Sequence, residues 1–336
     1  MQISFSELYA KIRTIMRILL VKTSSLGDVI HNLPVVNDIL QHYPNAHIDW
    51  VVEESFADVP KLHPNIHKVD TVAIRRWRKQ LFARNTWQEI NAFKQSLNTA
   101  YDAVIDTQGL IKSAVITRLA HGPKHGYDQQ SIREPFASQA YQHVYRISYQ
   151  QHAVARNRTL VANALAYPVP SNPPDYGIQA NSTLFPLSLS LPKQPYVVGL
   201  HGTSRDSKLW PIDQWIAFGK QLESEATALV LPWSSPAEKQ RAELIQSQLT
   251  QTIVLPKLSI GQLANIIAQA HAAIGVDTGL THLAVALSIP TVAIYTDTNP
   301  ALTGVMAGAF APAINLGNIN VIPSANEVFQ SYRQII

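Results

Sequence analysis

Short runs of β-branched and aliphatic residues alternate along this chain with longer stretches whose apolar positions recur at helical spacing. In the first half the runs fall at residues 17–23, 48–52, 69–74 and 103–106. In the second half they fall at 196–200, 228–231, 273–276 and 291–295. Continuous apolar runs of this length suit parallel strands buried on both faces. Between them the periodicity predicts helices at 28–42, 87–97, 111–120, 212–223, 236–249, 260–270 and 281–287. Strand–helix alternation of this kind implies βαβ units, hence an α/β fold of doubly wound parallel sheets.

The rhythm breaks at residues 167–195, where Pro168, Pro170, Pro173, Pro174, Pro186, Pro192 and Pro195 accumulate among Ser and Asn. Proline withholds the backbone donor and disfavours helix before it, so this stretch reads as an interdomain connection. The expected layout is a first Rossmann-like domain at 16–170, a connection at 171–195 and a second Rossmann-like domain at 196–318. A C-terminal helix at 319–336 is expected to pack back on the first domain. Residues 1–15 form an N-terminal extension, and the two domains face each other across a cleft.

Composition narrows the chemistry. The chain has 336 residues and no cysteine, which removes disulfides, thiolate nucleophiles and Cys-ligated metals. No apolar run approaches the roughly 18 residues a membrane span needs, and the first fifteen residues lack a signal-peptide core. A cytoplasmic protein is the expectation. The net charge of +4 is unevenly shared: the basic excess lies in residues 1–170, and residues 171–336 are slightly acidic. A basic half suggests an anionic partner there: a nucleic acid, a membrane surface or a phosphorylated substrate.

The candidate chemistry sits where strands end. Ligands of open α/β sheets bind outside the carboxyl ends of the strands. The first strand runs into Lys22-Thr23-Ser24-Ser25-Leu26-Gly27-Asp28. Asp28 either caps the following helix or faces the cleft as a general base. The loop is neither a P-loop nor a GxGxxG fingerprint. After the third strand, Arg75-Arg76-Trp77-Arg78-Lys79 places four cations in five residues, suited to phosphates or acidic sugars or else to a solvated loop. One short cluster is a small footprint for a duplex, so nucleic acid is not expected. Arg133 and Lys112 are further candidates for the same wall.

The second half offers a diphosphate set. Thr203 and Ser204 carry hydroxyls and Lys208 a point cation, just before Trp210-Pro211 opens a helix. Asp277-Thr278-Gly279-Leu280-Thr281-His282 joins a strand to a helix whose free N–H groups can hold a phosphate. Asp277 either binds sugar hydroxyls or caps that helix, and His282 reads as a buried structural histidine. Glu238 either binds a ribose hydroxyl or serves as a helix-start carboxylate. The twelve histidines show no metal-binding spacing.

Taken together, residues 16–28, 73–79, 101–110, 133–135, 203–211 and 276–283 resemble the bacterial lipopolysaccharide heptosyltransferases. These form glycosyltransferase family 9, with the GT-B fold. The strand-end Ser-x-Gly-Asp and Asp-Thr-Gly motifs carry the family resemblance. The Arg75–Lys79 cluster is similar to the heptosyltransferase I group.

The resemblance implies an inverting transfer of L-glycero-D-manno-heptose from ADP-heptose to the first Kdo of Kdo2-lipid A. It implies Asp28 as general base. Thr203, Ser204, Lys208 and the backbone around Thr278, Gly279 and Leu280 would hold the diphosphate. Asp277 would bind the heptose, Glu238 the ribose, and Leu258 would lie near the nucleoside, with His282 in the same donor-binding set. Ser25, Gly27, Arg75, Arg76, Arg78, Lys79 and Arg133 would meet the acceptor. No cofactor and no metal is implied, since Lys208 stands where other transferases use one. A monomer touching the anionic cytosolic face of the inner membrane is the expected setting. Heptosyltransferase II or another family-9 transferase is the nearest rival. A non-catalytic sugar-nucleotide-binding protein or a GT-B-like epimerase is the rival of another class. One departure stands out: the family's Gly-Pro-Thr-Asp-Pro after its last core strand reads Thr296-Asp297-Thr298-Asn299-Pro300 in this chain.

Overall fold

A computed structural model describes residues 15–336, so the expected N-terminal extension lies outside the described residues but for Ile15. The apolar runs become the central strands of two six-stranded sheets, all parallel. The first contains β1 (Arg17–Val21), β2 (His47–Glu53), β3 (Lys68–Val72), β4 (Ala103–Asp106), β5 (Lys124–Tyr127) and β6 (His143–Tyr145). The second contains β7 (Tyr196–Leu200), β8 (Ala228–Leu231), β9 (Thr252–Val254), β10 (Ala272–Val276), β11 (Thr291–Tyr295) and β12 (Ala313–Gly317).

Both sheets share one topology. The first has the order β3-β2-β1-β4-β5-β6; the second has β9-β8-β7-β10-β11-β12. The chain starts in the middle of each sheet, winds outward, then crosses back and winds the other way. Each sheet therefore has one switch point, between β1 and β4 and between β7 and β10, where adjacent loops diverge and leave a crevice. β1, β7, β10 and β11 are buried almost throughout, as strands covered by helices on both faces must be.

Helix starts follow local chemistry. Ser235, Ser259 and Ser324 each accept from the backbone N–H three residues on, and Glu238, Gln262 and Glu327 reach back to close capping boxes. The expected single helix at 28–42 is two helices, Leu26–Ile30 and Pro34–His42. Pro34 cannot donate to the preceding turn, so the chain breaks before it and restarts with proline in the first turn.

The domains touch through two short helix starts. Helices Leu26–Ile30 and Gly279–Ala286 pack against each other, and one apolar cluster runs from Val29 and Ile30 across to Leu283 and Ala284. The Pro-rich connection is irregular but anchored. Tyr176 and Ile178 are buried, and Arg158 forms a buried ion pair with Asp38 at 2.7 Å while also donating to the Asn172 carbonyl.

The C-terminal helix corrects an expectation. Helix Ala325–Ile335 packs on the second domain, not back on the first. Its stripe of Ala325, Val328, Tyr332 and Ile335 meets Trp215 and Phe218 in a separate buried cluster. Trp210 donates its indole N–H to the Pro323 carbonyl at 2.8 Å, tying the approach to the same domain. Tyr332 is almost fully buried against Phe218 and Phe329. Tyr332→Ala is expected to cost about 3 kcal/mol of stability through the cavity it leaves. Urea unfolding of the purified variant measures it.

Candidate active site

Both switch points open on the same cleft. After β1, the loop is tied to the one after β4: Thr23 and Ser24 donate their backbone N–H groups to Gln108 Oε1 at 2.8 and 3.0 Å. Buried Lys22 donates to the Thr107 carbonyl at 2.7 Å, and Lys112 donates to Ser24 Oγ at 2.6 Å. Burial pushes the Lys22 ammonium below its ordinary range, and the Asp28 carboxylate pulls it back.

Asp28 caps its helix and also reaches the cleft. Its Oδ2 accepts from the Ser25 backbone N–H and the Ser25 hydroxyl, each at 2.8 Å, closing the helix start as a cap. Its carboxylate also stands in the wall between two cavities. One, of about 430 Å³, is shared with Thr203, Lys208, Asp277 and His282 of the second domain. The other, of about 70 Å³, lies wholly within the first domain and is lined by Lys22, Gln108, Arg133 and Arg156 among others.

The second domain supplies a preorganised anion site. Lys208 Nζ pairs with Asp277 Oδ2 at 2.6 Å, and the Thr298 hydroxyl donates to the same oxygen at 2.6 Å. Thr203 Oγ1 donates to the Asp277 carbonyl at 2.8 Å. Thr278 is the N-cap of helix Gly279–Ala286 and makes no side-chain cap bond; the Thr281 N–H donates to the Thr278 carbonyl at 3.1 Å, and the Gly279 and Leu280 N–H groups stand at the open helix start. The departing segment 296–300 therefore has a structural task. Thr296 donates to the Ser207 carbonyl, Ser207 donates to Asp297, and Thr298 holds Asp277. Beyond this, Glu238, Leu258, Leu280, Trp233 and Gly202 line a deeper cavity of about 450 Å³. Glu238 repeats the double use seen at Asp28: Oε2 accepts from the Ser234 N–H and hydroxyl, while the carboxylate also lines the cavity.

The basic cluster divides. Arg75 lines both interdomain cavities and lies 5.7 Å from the centroid of the Phe56 ring. Arg76 is committed elsewhere: its guanidinium bonds both oxygens of Glu54 and also Glu89, and these bonds raise its pKa. Trp77 donates its indole N–H to Glu89 Oε2 at 2.7 Å. Arg76 thus anchors the cluster through its acid partners. Arg78 and Lys79 are exposed and line none of these cavities, while Arg133 borders the small one.

Two residues missed in the sequence stand beside Asp28. Arg156 donates to the Ser131 carbonyl, and its guanidinium carbon lies 4.8 and 4.2 Å from the ring centroids of Tyr127 and Tyr149. Its Nε is buried with no partner. Lys22 lies inside an apolar run and Arg156 inside an unpredicted helix, Ala153–Leu165, so neither carried a local signal.

Histidines make up the floor. His31 Nε2 and His282 Nδ1 are 3.2 Å apart across the domain junction, and His152 Nε2 donates to the Gly304 carbonyl at 2.9 Å. Burial holds all three below the ordinary imidazole range, with His282 at about 4. Among the described residues no group of three or more His, Asp and Glu is arranged to hold a metal ion. No helix among them is long and apolar enough to cross a membrane.

Twin Rossmann-like domains with cavities opening between them at their switch points have the architecture of the GT-B glycosyltransferases. The description glycosyltransferase family 9 (heptosyltransferase) matches residues 90–325, and the chain belongs to that family. Its reaction is heptosyl transfer. Lipopolysaccharide heptosyltransferase 1 of Pseudomonas aeruginosa is 46% identical, covering 86% of this chain and 81% of that protein. The Escherichia coli K12 protein of the same name is 44% identical, covering 91% and 97%. Escherichia coli heptosyltransferase WaaC with ADP superposes with a TM-score of 0.86 at 42% identity, covering 95% of this chain and 99% of that one. WaaC with ADP-2-deoxy-2-fluoro heptose gives 0.83 at 41%, with the same coverage.

The buried imidazoles make stability depend on pH. Their folded pKa values lie below the unfolded value of about 6.5, so the unfolded chain takes up protons first as pH falls. Stability is complete above that value and is lost between it and about 4, where His63, His125, His201 and His282 sit. The expected slope is up to about 1.4 kcal/mol per pH unit for each such histidine. Denaturant unfolding at pH 7, 6 and 5 checks it, and His282→Gln should flatten the slope.

Proposed function

We propose that this heptosyltransferase moves L-glycero-D-manno-heptose from ADP-heptose to the first Kdo of Kdo2-lipid A, inverting the anomeric centre, in lipopolysaccharide inner-core synthesis. The observation that carries the reading is the place of Asp28, in the wall shared by a large interdomain cavity and a small cationic one. A donor in the first and an acceptor at the second would meet at its carboxylate.

The chemistry follows from those groups. The acceptor hydroxyl attacks the anomeric carbon as Asp28 takes its proton, a task worth about 10²–10⁴-fold. The departing ADP gains negative charge, which Lys208 and the free N–H groups of helix Gly279–Ala286 are set to receive. The diphosphate would then share Lys208 with Asp277, whose carboxylate is left for heptose hydroxyls. Glu238 suits the ribose and Leu258 the nucleoside edge. Lys22, Arg133 and Arg156 suit the carboxylate or phosphate groups of the acceptor, and Arg75 faces the line between the two substrates. The basic surplus of the first domain favours a peripheral position on the anionic cytosolic membrane face.

Turnover of ADP-heptose with Kdo2-lipid A tests this reading. Asp28→Ala should lower kcat by at least about 10²-fold with donor affinity within about threefold of wild type. Lys208→Ala should weaken ADP-heptose binding as well as transfer. Equal turnover by wild type and Asp28→Ala would remove Asp28 as the base. A second check concerns metals: full turnover in excess chelator is expected, with Lys208 as the diphosphate cation. Loss in chelator and recovery with Mg²⁺ or Mn²⁺ would overturn that.

A further inference from the structure

The first domain carries an apolar face that its own fold leaves uncovered. Helix Ile111–Leu119 buries Ser113, Ala114, Ile116 and Thr117 against its sheet. Its outer side presents Ile111, Val115 and Leu119 at fourfold spacing, 51%, 56% and 37% exposed. A soluble helix normally turns polar residues outward, so an apolar stripe there asks for a partner. The neighbouring turn Pro135–Ala140 packs against this helix and adds Phe136, 75% exposed. The two pieces are linked where Glu134 accepts the Ile111 backbone N–H at 2.6 Å.

Charge and position identify the partner. The helix has no acidic residue, and its cations are Lys112 and Arg118. Lys112 turns toward Ser24 and Glu134 gives an oxygen to the Ile111 N–H, so exposed Arg118 is the charge beside the stripe, and an apolar stripe with an exposed cation suits an anionic bilayer. The patch also begins at the small cavity: Leu110, directly before the helix, and Arg133, directly before Glu134-Pro135, both line it beside Asp28. A glycolipid held in a membrane would have its sugar end at that cavity and its acyl end along the stripe.

We infer that Ile111, Val115, Leu119 and Phe136, with Arg118, form the face that docks on an anionic lipid bilayer and presents the membrane-held acceptor to Asp28. This rests on the acceptor reading above and names the surface that serves it.

The test uses the full chain with Val115, Leu119 and Phe136 replaced by Ser. All three are exposed, so the fold should tolerate the change, which a thermal melt checks. Co-sedimentation is measured with vesicles of phosphatidylethanolamine and phosphatidylglycerol, and with phosphatidylcholine alone. Wild type should bind the anionic vesicles, and the triple variant at least about tenfold more weakly. Arg118→Gln should weaken binding to anionic vesicles only. The KM for Kdo2-lipid A in vesicles should rise in the triple variant, and that for a fully deacylated, soluble acceptor should not. Unchanged vesicle binding, or an equal rise for both acceptors, would overturn the docking face. So would light scattering that shows the substitutions dissolving a dimer while vesicle binding persists. Wild type inactive on both acceptors would instead overturn the acceptor reading and leave the vesicle result to stand alone.

Discussion

Everything at the site depends on how closely two helix starts approach. A Cβ on Gly279 would lie 2.5 Å from Leu26 Cγ, and one on Gly27 would lie 3.3 Å from His282 Cδ2. A side chain at Gly279 would wedge the domains apart at a place where their apolar interiors join. The absence of a side chain there brings Asp28 of one domain into the same cavity as Lys208 and Asp277 of the other. Groups from the two domains can act on one bound molecule only at that separation.

The site is also electrically divided. Acids and bases of the donor half are already paired, as Lys208 with Asp277 and Thr298, so the geometry is set by the protein's own bonds. In the first domain, buried Lys22 rests on the Thr107 carbonyl, and part-buried Arg156 lies between two tyrosines. A guanidinium held by rings and a carbonyl keeps its charge available to an incoming anion. The first half thus offers cations with few acidic partners, and the second a cation already paired with its own carboxylate.

Much of this was legible in the chain, and the gaps have physical causes. The central strands announced themselves because burial on both faces demands continuous apolar runs. β5, β6, β9 and β12 did not: β6 and β9 span three residues each, and Lys124, His125 and Asn315 interrupt the apolar pattern of β5 and β12. Helix Ala153–Leu165 was missed because His152, not Ser or Asp, caps it. The strand-end motifs located Asp28, Lys208 and Asp277, but spacing alone left Asp28 between cap and base, and the structure has it both capping and facing the cleft. Pairing across sequence was invisible: Arg76 reads as a free cation until Glu54 and Glu89 arrive from other elements. The C-terminal helix had a clear stripe, yet a stripe does not say which domain it will meet.

Asp28 and Glu238 share a design whose cost falls on evolution. Each gives one carboxylate oxygen to the start of its own helix while standing at the cleft. The helix fixes the rotamer without any ligand, so binding a substrate need not first order the side chain. The same economy leaves almost no neutral path through sequence space at these two positions. Shortening, lengthening or neutralising either acid disturbs a helix cap and a cavity wall at once. Lineages that retune what this cleft accepts are therefore freer to change the lining around these carboxylates, at Leu258 or Trp233, than the carboxylates themselves.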